Sequence, residues 1–375
     1  MKSTIVVEQK PLMSILSSMQ PICAKRTALD ATSYIFFQVG YKELVLKSTD
    51  LEISLQASYL LSESDIKEPH TFLVSGKRIF DLVKELEGDI TLTATSTQLK
   101  INAGGADLSL KIKDTQDFPE FPERIENLIQ LEAGFFLQML AKVAFLIPQN
   151  NANAALNGLY LEFADNKMKM TTTDGHCLAQ VSTQKYTLGE EKKWLLPRRA
   201  VFEVKKILDG VSGQAPLFLG TCGNQLVFSG ESFNFFTKLL VDPFPQYEAI
   251  LNKEGFLPAK VSRSHLMKTL RRSSCFLSGQ FIATQFDFHK GAVSVTMDNK
   301  EVGNLKEDVP LEQFAGENLD IRFYAPYLLN GLQAFSDDKV SFLLKNEQRP
   351  IIFESEADEK NVCYLVMPIS TAVKN

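Results

Sequence analysis

The segment MKMTTTDGHCLA (residues 168–179) decides the fold of this chain of 375 residues. Apolar and polar residues alternate from Met168 onward, and a second partly apolar stretch begins directly after Asp174 and Gly175. Successive side chains of a β-strand point to opposite faces of the sheet. The pattern therefore predicts two strands that meet at a tight turn.

Two other segments have the same form, LVLKSTDLEISL (44–55) and VSVTMDNKEVGN (293–304). The first residues of the three segments are 124 and 125 positions apart, and Asp50, Asp174 and Asn299 occupy the matching turn position. Self-similarity at a fixed period indicates a repeated structural unit. We therefore predict one module that is present three times.

Helical patterns recur with the same period. Apolar residues at the i, i+3, i+4, i+7 spacing predict an amphipathic helix at the start of each module, and a second helix follows the paired strands. Each module reads β-α-β-β-β-α-β-β-β, which predicts an α+β fold with two helices packed on antiparallel sheets. Acidic, proline-containing segments separate the modules, so we predict domains at residues 1–128, 129–255 and 256–375. The apolar stripes consist of Leu12, Ile15, Leu16 and Met19; Ile79, Leu82, Val83 and Leu86; Phe136, Met139, Leu140 and Val143; Val201, Val204 and Leu208; Leu266, Met267 and Leu270; and Ala325, Leu328, Leu329 and Leu332.

The composition is that of an ordinary globular protein, with 45% hydrophobic and 23% charged residues. The sequence has no run of about 18 apolar residues and no signal peptide, so we expect a cytoplasmic protein without membrane association. Its five cysteines are widely spaced and form no CxxC pair, which argues against a zinc site and a disulfide framework. No cofactor is predicted.

The predicted helices carry many basic residues, although the formal net charge of the chain is −5. Basic helix faces on an otherwise acidic protein would attract a polyanion to one surface. Such residues can equally serve only to solvate an exposed helix face. The basic residues are Lys77, Arg78, Lys84, Arg198, Arg199, Lys205, Lys206, Arg263, Lys268, Arg271 and Arg272.

Asp174, His176 and Cys177 are close enough in sequence to suggest a catalytic cluster. A nucleophile needs a positioned base and an oxyanion site, whereas adjacent side chains in a tight turn tend to diverge. The chain has four histidines, and none has the i, i+4 partner of a helical metal site. We therefore expect neither hydrolysis nor metal catalysis at this turn.

Five motifs, in this order and at these separations, resemble the bacterial DNA polymerase III beta subunit family, the replicative sliding clamps. The resemblance spans the whole chain. The motifs are NGLYLEF (157–163), TTDGHCLA (172–179), LLPRRAVFEVKKILDG (195–210), FTKLLVDPFPQYEAIL (236–251) and YLVMPIS (364–370).

The resemblance implies a processivity factor for DNA polymerase that has no catalytic activity of its own. It implies a head-to-tail homodimer that closes into a ring of six domains around double-stranded DNA, which it binds without sequence preference. Helices would line the central hole and sheets would form the outer wall. The implied partners are the clamp loader, the DNA polymerase III alpha subunit, and other polymerases and repair proteins with clamp-binding motifs.

The resemblance also implies a hydrophobic cleft between the second and third domains that binds a short peptide of these partners. Aliphatic, Met and Tyr side chains would provide adaptable pockets for Leu and Phe anchors. Two features depart from well-known members: Cys177 stands where they have arginine, and the chain continues past MPIS with TAVKN. The implied cleft residues are Leu156, Thr173, Gly175, His176, Leu178, Pro245, Ile250, Tyr324, Tyr327, Pro350, Leu365, Met367, Pro368 and Ile369.

Sliding requires many weak contacts to phosphates and no contact that identifies bases. Arg26 and Asn150 match loops that contact DNA in the family. The other candidates are basic residues of the helices. They are Lys77, Arg78, Arg198, Arg199, Lys205, Lys206, Arg271 and Arg272.

Two alternatives remain open at the level of sequence. One is a hydrolase that uses Asp174 and His176, for which substitution of His176 would abolish the reaction. The other is a structural repeat protein that does not bind DNA, in which the basic helices would face open solvent.

Overall fold

The three predicted turns share one hydrogen-bonding arrangement. Oδ1 of Asp50, Asp174 and Asn299 accepts backbone N–H bonds from residues two or three positions further on. A side chain that accepts these bonds stabilises a tight turn. The matching positions of the repeat therefore have the same structural role. The structure is a computed structural model that describes residues 3–23, 29–61, 68–122, 124–278, 282–357 and 359–369.

Within these residues, each module has two helices and eight strands in the order strand, helix, four strands, helix, three strands. The first module comprises β1 Ser3–Glu8, α1 Gln9–Met19, β2 Tyr34–Val39, β3 Glu43–Thr49, β4 Ile53–Leu60, β5 His70–Ser75, α2 Gly76–Lys84, β6 Asp89–Ala94, β7 Gln98–Ala103 and β8 Ala106–Lys113. The second comprises β9 Glu126–Glu132, α3 Ala133–Val143, β10 Gly158–Ala164, β11 Lys167–Thr173, β12 Cys177–Thr183, β13 Lys192–Pro197, α4 Arg198–Asp209, β14 Pro216–Cys222, β15 Gln225–Ser229 and β16 Phe233–Lys238. The third comprises β17 Leu257–Ser262, α5 Arg263–Ser274, β18 Thr284–His289, β19 Ala292–Asn299, β20 Gly303–Glu312, β21 Leu319–Phe323, α6 Ala325–Leu332, β22 Lys339–Leu344, β23 Ile351–Ala357 and β24 Lys360–Val366.

The prediction of three strands between the helices of each module was wrong, because a fourth strand precedes the second helix. This strand is β5, β13 or β21. β5 and β13 lead directly into the following helix, and one residue separates β21 from α6, so the residues of this strand look like the start of the helix.

The strands form two antiparallel sheets of twelve strands each. The described chain contains two compact units, unit 1 (residues 1–137 and 199–239) and unit 2 (residues 138–198 and 240–375), with one sheet in each. The middle module contributes four strands to each sheet, so the two compact units do not correspond to the three modules. The predicted domain boundaries near residues 128 and 256 therefore stay predictions. The strand order is β1-β6-β7-β8-β5-β2-β3-β4-β16-β15-β14-β9 in unit 1 and β13-β10-β11-β12-β24-β23-β22-β17-β20-β19-β18-β21 in unit 2.

The helices bury most residues of the apolar stripes that the sequence predicts. Ile15, Leu82 and Leu329 are only partly buried, and Leu86 lies beyond the end of α2. In α4, for example, Val201, Val204 and Leu208 are at most 2% exposed, whereas the basic residues lie on the other side of the helix. Pro326 lies in the first turn of α6, where its missing N–H breaks no helical hydrogen bond. No helix in the described ranges is long and apolar enough to cross a membrane.

Candidate functional site

An apolar cluster lies on the sheet of unit 2, where β12, β24 and β23 are neighbours. Leu178 on β12 pairs in register with Leu365 on β24, and Leu365 pairs with Ile352 on β23. These three side chains are at most 4% exposed, and Tyr247, from the segment between β16 and β17, completes the buried part of the cluster. The partly buried residues packed against it are Tyr160, Phe244, Ile250, Leu251, Phe256, Leu343, Cys363 and Met367.

Residues 240–256, here called the linker segment, are held on this sheet by two aromatic side chains. The ring of Phe244 stacks on Tyr160 of β10 with 4.8 Å between centroids. The hydroxyl of Tyr247 donates a hydrogen bond of 2.5 Å to Oε2 of Glu162, also on β10. Tyr247 and Glu162 are 6% and 3% exposed, and burial followed by this hydrogen bond raises the pKa of Tyr247 well above its usual value. The segment that carries Ile250 is therefore tied to the sheet by a buried polar contact.

An aromatic rim, formed by His176, Tyr324 and Tyr327, lies at the turn end of the same strands. The ring of His176 stacks on Tyr327 at 5.8 Å, and Tyr324 meets Tyr327 edge to face at 5.0 Å. The N–H of Met367 donates to the carbonyl of His176 at 2.9 Å, and the hydroxyl of Tyr364 donates to the carbonyl of Tyr327 at 2.9 Å. These bonds fix the rim to the end of β24.

The structure brings together many of the cleft residues that the sequence implied. Leu178, Ile250, Leu365 and Met367 belong to the apolar cluster or pack on it, and His176, Tyr324 and Tyr327 form the rim. A Cβ at Gly175, whose φ is +94°, would be in van der Waals contact with Leu156. Thr173 donates its hydroxyl to the carbonyl of Cys177, and the N–H of Ile369 donates to the carbonyl of Arg322. Pro245 is exposed on the linker segment, Pro350 is buried directly before β23, and Pro368 is partly buried.

Sequence reasoning missed several residues of the site. Tyr160 and Phe244 contribute apolar surface, Ile352 belongs to the buried part of the cluster, and Glu162 with Tyr247 holds the linker segment. The motif DPFPQY (242–247) indicates that Phe244 and Tyr247 are buried, because large aromatic side chains in a proline-rich segment usually pack on a neighbouring surface. Glu162 gave no signal, because a charged residue on a strand is usually exposed.

The matching junction in unit 1, between β4 and β16, has the same geometry and a different chemistry. The N–H of Lys238 donates to the carbonyl of Glu52 at 2.9 Å, as Met367 does to His176. The side chains of Lys238 and Glu52 form an ion pair of 3.2 Å. Ser54 stands where β12 has Leu178, 124 positions later. The apolar surface is therefore a property of the junction in unit 2.

The turn at Asp174 lacks the geometry of a catalytic site. Oδ1 of Asp174 accepts the N–H groups of His176 and Cys177 at 2.8 and 2.7 Å, so the carboxylate stabilises the turn. Cys177 is 1% exposed, and burial followed by the nearby charge of Asp174 raises the pKa of its thiol. Among the described residues, no group of His, Cys, Asp or Glu side chains could hold a metal ion.

The predicted DNA-contacting residues lie on three helices and one loop. Lys77 and Arg78 are exposed in the first turn of α2, Arg271 is exposed in the last turn of α5, and Asn150 is exposed on the loop before β10. The structure thus displays these side chains to solvent. Arg26 lies outside the described residues.

Other basic residues of the set have partners within the chain. Arg199 pairs with Asp50, Arg272 pairs with Glu307, and Lys205 lies 3.5 Å from Asp209. Contacts to backbone carbonyls are made by Arg198, which donates to Ile147 at 3.2 Å, and by Lys206, which donates to Ser17 at 2.5 Å. The Lys205–Asp209 pair is open to solvent, and such pairs are weak, so a phosphate could compete for Lys205.

Comparison with known proteins relates this architecture to one family. Models of the N-terminal, central and C-terminal domains of the DNA polymerase III beta subunit match residues 3–122, 130–246 and 250–370, respectively. The beta sliding clamp of Pseudomonas aeruginosa is 25% identical over 367 residues, which are 97% of this chain and 98% of that protein. The beta sliding clamp of Chlamydia pneumoniae is 24% identical over 370 residues, with the same coverage of both chains.

Solved structures show the same fold. The sliding clamp of P. aeruginosa bound to griselimycin has a TM-score of 0.91 at 23% identity and covers 99% of this chain and 100% of its own. The sliding clamp of Bacillus subtilis has a TM-score of 0.90 at 18% identity, again with 99% and 100% coverage.

Three copies of the α+β module and the matching domain order define the sliding-clamp fold. This class consists of processivity factors, which catalyse no reaction themselves. The chain belongs to the DNA polymerase III beta subunit family.

Proposed function

We propose that two copies of this chain close head to tail into a ring around double-stranded DNA in the cytoplasm. The ring slides without sequence preference and tethers the DNA polymerase III alpha subunit, along with other polymerases and repair proteins. A clamp loader places it on DNA. The observation that supports the ring is the way in which strands of neighbouring modules pair.

In each module the strands form two groups of four, and four of the six groups end in a strand that joins a neighbouring module. The group that ends in β4 joins β16 of the second module, and the group that ends in β12 joins β24 of the third. By the same rule, β20 of the third module should join the strand equivalent to β16 and β24. That strand is β8 of the first module.

Both strands have an open edge in the described structure. Beside β7, strand β8 pairs only at Ile112 and Lys113, with β5. Beside β19, strand β20 pairs only at Leu311 and Glu312, with β17. Unpaired edges are templates for further strands. A contact between β20 of one copy and β8 of the next is heterologous, so it must either close or generate a filament.

Exposed basic side chains on α2 and α5 support contact with DNA. Lys77, Arg78 and Arg271 can bind phosphates, and contacts to phosphates carry no information about the base sequence. Asn150 and the ion-paired arginines would add weak contacts. A ring needs no single strong contact, since its topology retains it on the DNA.

The apolar cluster and the aromatic rim support a peptide-binding cleft. Its surface combines partly buried Ile250 and Met367 with the rings of the rim, which suit Leu and Phe side chains of a partner. We also propose that griselimycin, which a related clamp binds, occupies this cleft here.

A topological assay tests the ring. The protein is loaded onto a nicked circular plasmid with a clamp loader and ATP, and retention is measured by gel filtration before and after linearisation. We expect retention on the circle and release from the linear ends. Plasmid that is cut before loading is the control. Equal retention on circular and linear DNA, or none on either, would refute encirclement.

A further inference from the structure

A groove of about 590 Å³ lies beside the apolar cluster on the sheet of unit 2. Gln180 and Cys363 lie two positions along their strands from Leu178 and Leu365, and Glu354 lies two positions from Ile352. Side chains two residues apart on a strand share a face. On this face of the sheet, the side chains therefore change from apolar to polar within two residues along each strand.

The floor of the groove offers side chains and no free backbone. Strand β12 is paired with β11 and β24, and β24 is paired with β12 and β23. A bound chain cannot add to these interior strands as a further strand. Whatever binds here has to be recognised through charges and polar side chains. The groove is lined by Lys167, Gln180, Ser182, Leu251, Lys253, Ser341, Glu354, Ser355, Asn361, Val362 and Cys363.

The charges of the lining favour an anion. Two ammonium groups, of Lys167 and Lys253, line the groove with one carboxylate, that of Glu354, which forms an ion pair with Lys253. The thiol of Cys363 adds no negative charge, because burial raises its pKa to about 12. The balance of charged groups in the lining is therefore positive.

The groove adjoins the cleft through shared residues. Leu251 and Cys363 line the groove and also pack on the apolar cluster. Asn361 lies four residues before Leu365 on β24, which corresponds to about 13 Å along an extended strand. An extended partner chain would cover this distance with about four residues beyond its apolar anchor.

We propose that the groove binds an acidic flank of the partner peptide whose apolar side chains occupy the cleft. This inference rests on the proposed cleft function and adds the chemistry of the flanking residues. Lys167 and Lys253 attract the carboxylates of the flank, while Ser182, Ser341 and Asn361 offer hydrogen bonds. Since the groove is open to solvent, the attraction is weakened by salt.

The test compares synthetic peptides by fluorescence polarisation at low and high salt. The probe is fluorescein-labelled Ser-Leu-Ser-Leu-Phe-Ser, without a flank or with four Asp residues added at its N-terminal or C-terminal end. We expect an acidic flank at one end to strengthen binding about three- to ten-fold at low salt. We expect Lys167→Gln and Lys253→Gln to remove this gain and Glu354→Gln to increase it. Lys290→Gln, an equal charge change in the turn after β18, should leave the gain intact.

The proposal is overturned if neither flank strengthens binding, or if the gain persists in both lysine variants. The peptide without a flank distinguishes a failure of the proposed groove from a failure of the proposed cleft. Its binding reports on the cleft alone, so normal binding without any gain from acid would refute the groove while leaving the cleft in place.

Discussion

Tyr247→Phe removes the hydroxyl that ties the linker segment to the sheet. The lost hydrogen bond joins two groups that are 6% and 3% exposed, and Glu162 is left buried with one donor fewer. An unsatisfied buried polar group costs about 1–3 kcal/mol. We expect a loss of about 2 kcal/mol in the free energy of unfolding. For a slope of about 2 kcal/mol per M, the urea midpoint would fall by about 1 M.

The same variant should weaken binding in the cleft, because the linker segment carries Ile250. We expect a three- to ten-fold rise in Kd for a labelled Leu/Phe peptide, or about 0.7–1.4 kcal/mol. Adding Glu162→Gln should restore part of both losses, since a neutral amide is less costly to bury than a carboxylate. Tyr41→Phe, at an exposed tyrosine, is the matched control.

The hydrogen bond also has a pH signature. The pKa of Tyr247 is raised in the folded protein above its usual value of 10.0, so the folded state holds this proton more tightly than the unfolded state. The associated stability is complete below about pH 10 and is lost as the pH rises towards the folded pKa. The stability difference between wild type and Tyr247→Phe should shrink in that range. An unchanged urea midpoint together with an unchanged peptide Kd would refute the role given to this pair.

Three further variants test other parts of the structure. In Gly331→Ala, the added methyl group would overlap the ring of Tyr364, so we expect a loss of about 1–3 kcal/mol in urea denaturation; full stability would contradict the packing of α6 on β24. Met367→Ala should weaken peptide binding about tenfold through lost apolar contact, and an unchanged Kd would remove this residue from the cleft. Replacing Lys77 and Arg78 by Gln should reduce the slope of log K against log salt for DNA binding by about 2, and an unchanged slope would exclude them as phosphate contacts.

The hairpins were predictable because the residues that determine them are close together in the sequence. Asp50 and Asp174 directly follow a strand, Asn299 ends one, and each accepts backbone N–H bonds from within three residues, so sequence order alone places them. The apolar stripes of the helices were predictable for the same reason. The fourth strand of each module escaped prediction, because at most one residue separates it from the second helix.

The site was only partly predictable, because its contacts join distant parts of the chain. Leu178 meets Leu365 across 187 positions, and only the family resemblance connected them. The resemblance implied part of the apolar cluster and the aromatic rim, and it left out Glu162 and Tyr247, which hold the linker segment. The burial of Glu162 under Tyr247 depends on where the linker segment lies, which no local pattern encodes.

Sedimentation equilibrium or native mass spectrometry tests the closed ring most directly, because a heterologous contact between β20 and β8 has only two outcomes. A ring of two chains has one discrete mass, twice the 42.0 kDa of the chain. We expect this dimer mass alone at micromolar concentration. A single chain, or a ladder of masses that grows with concentration, would contradict closure.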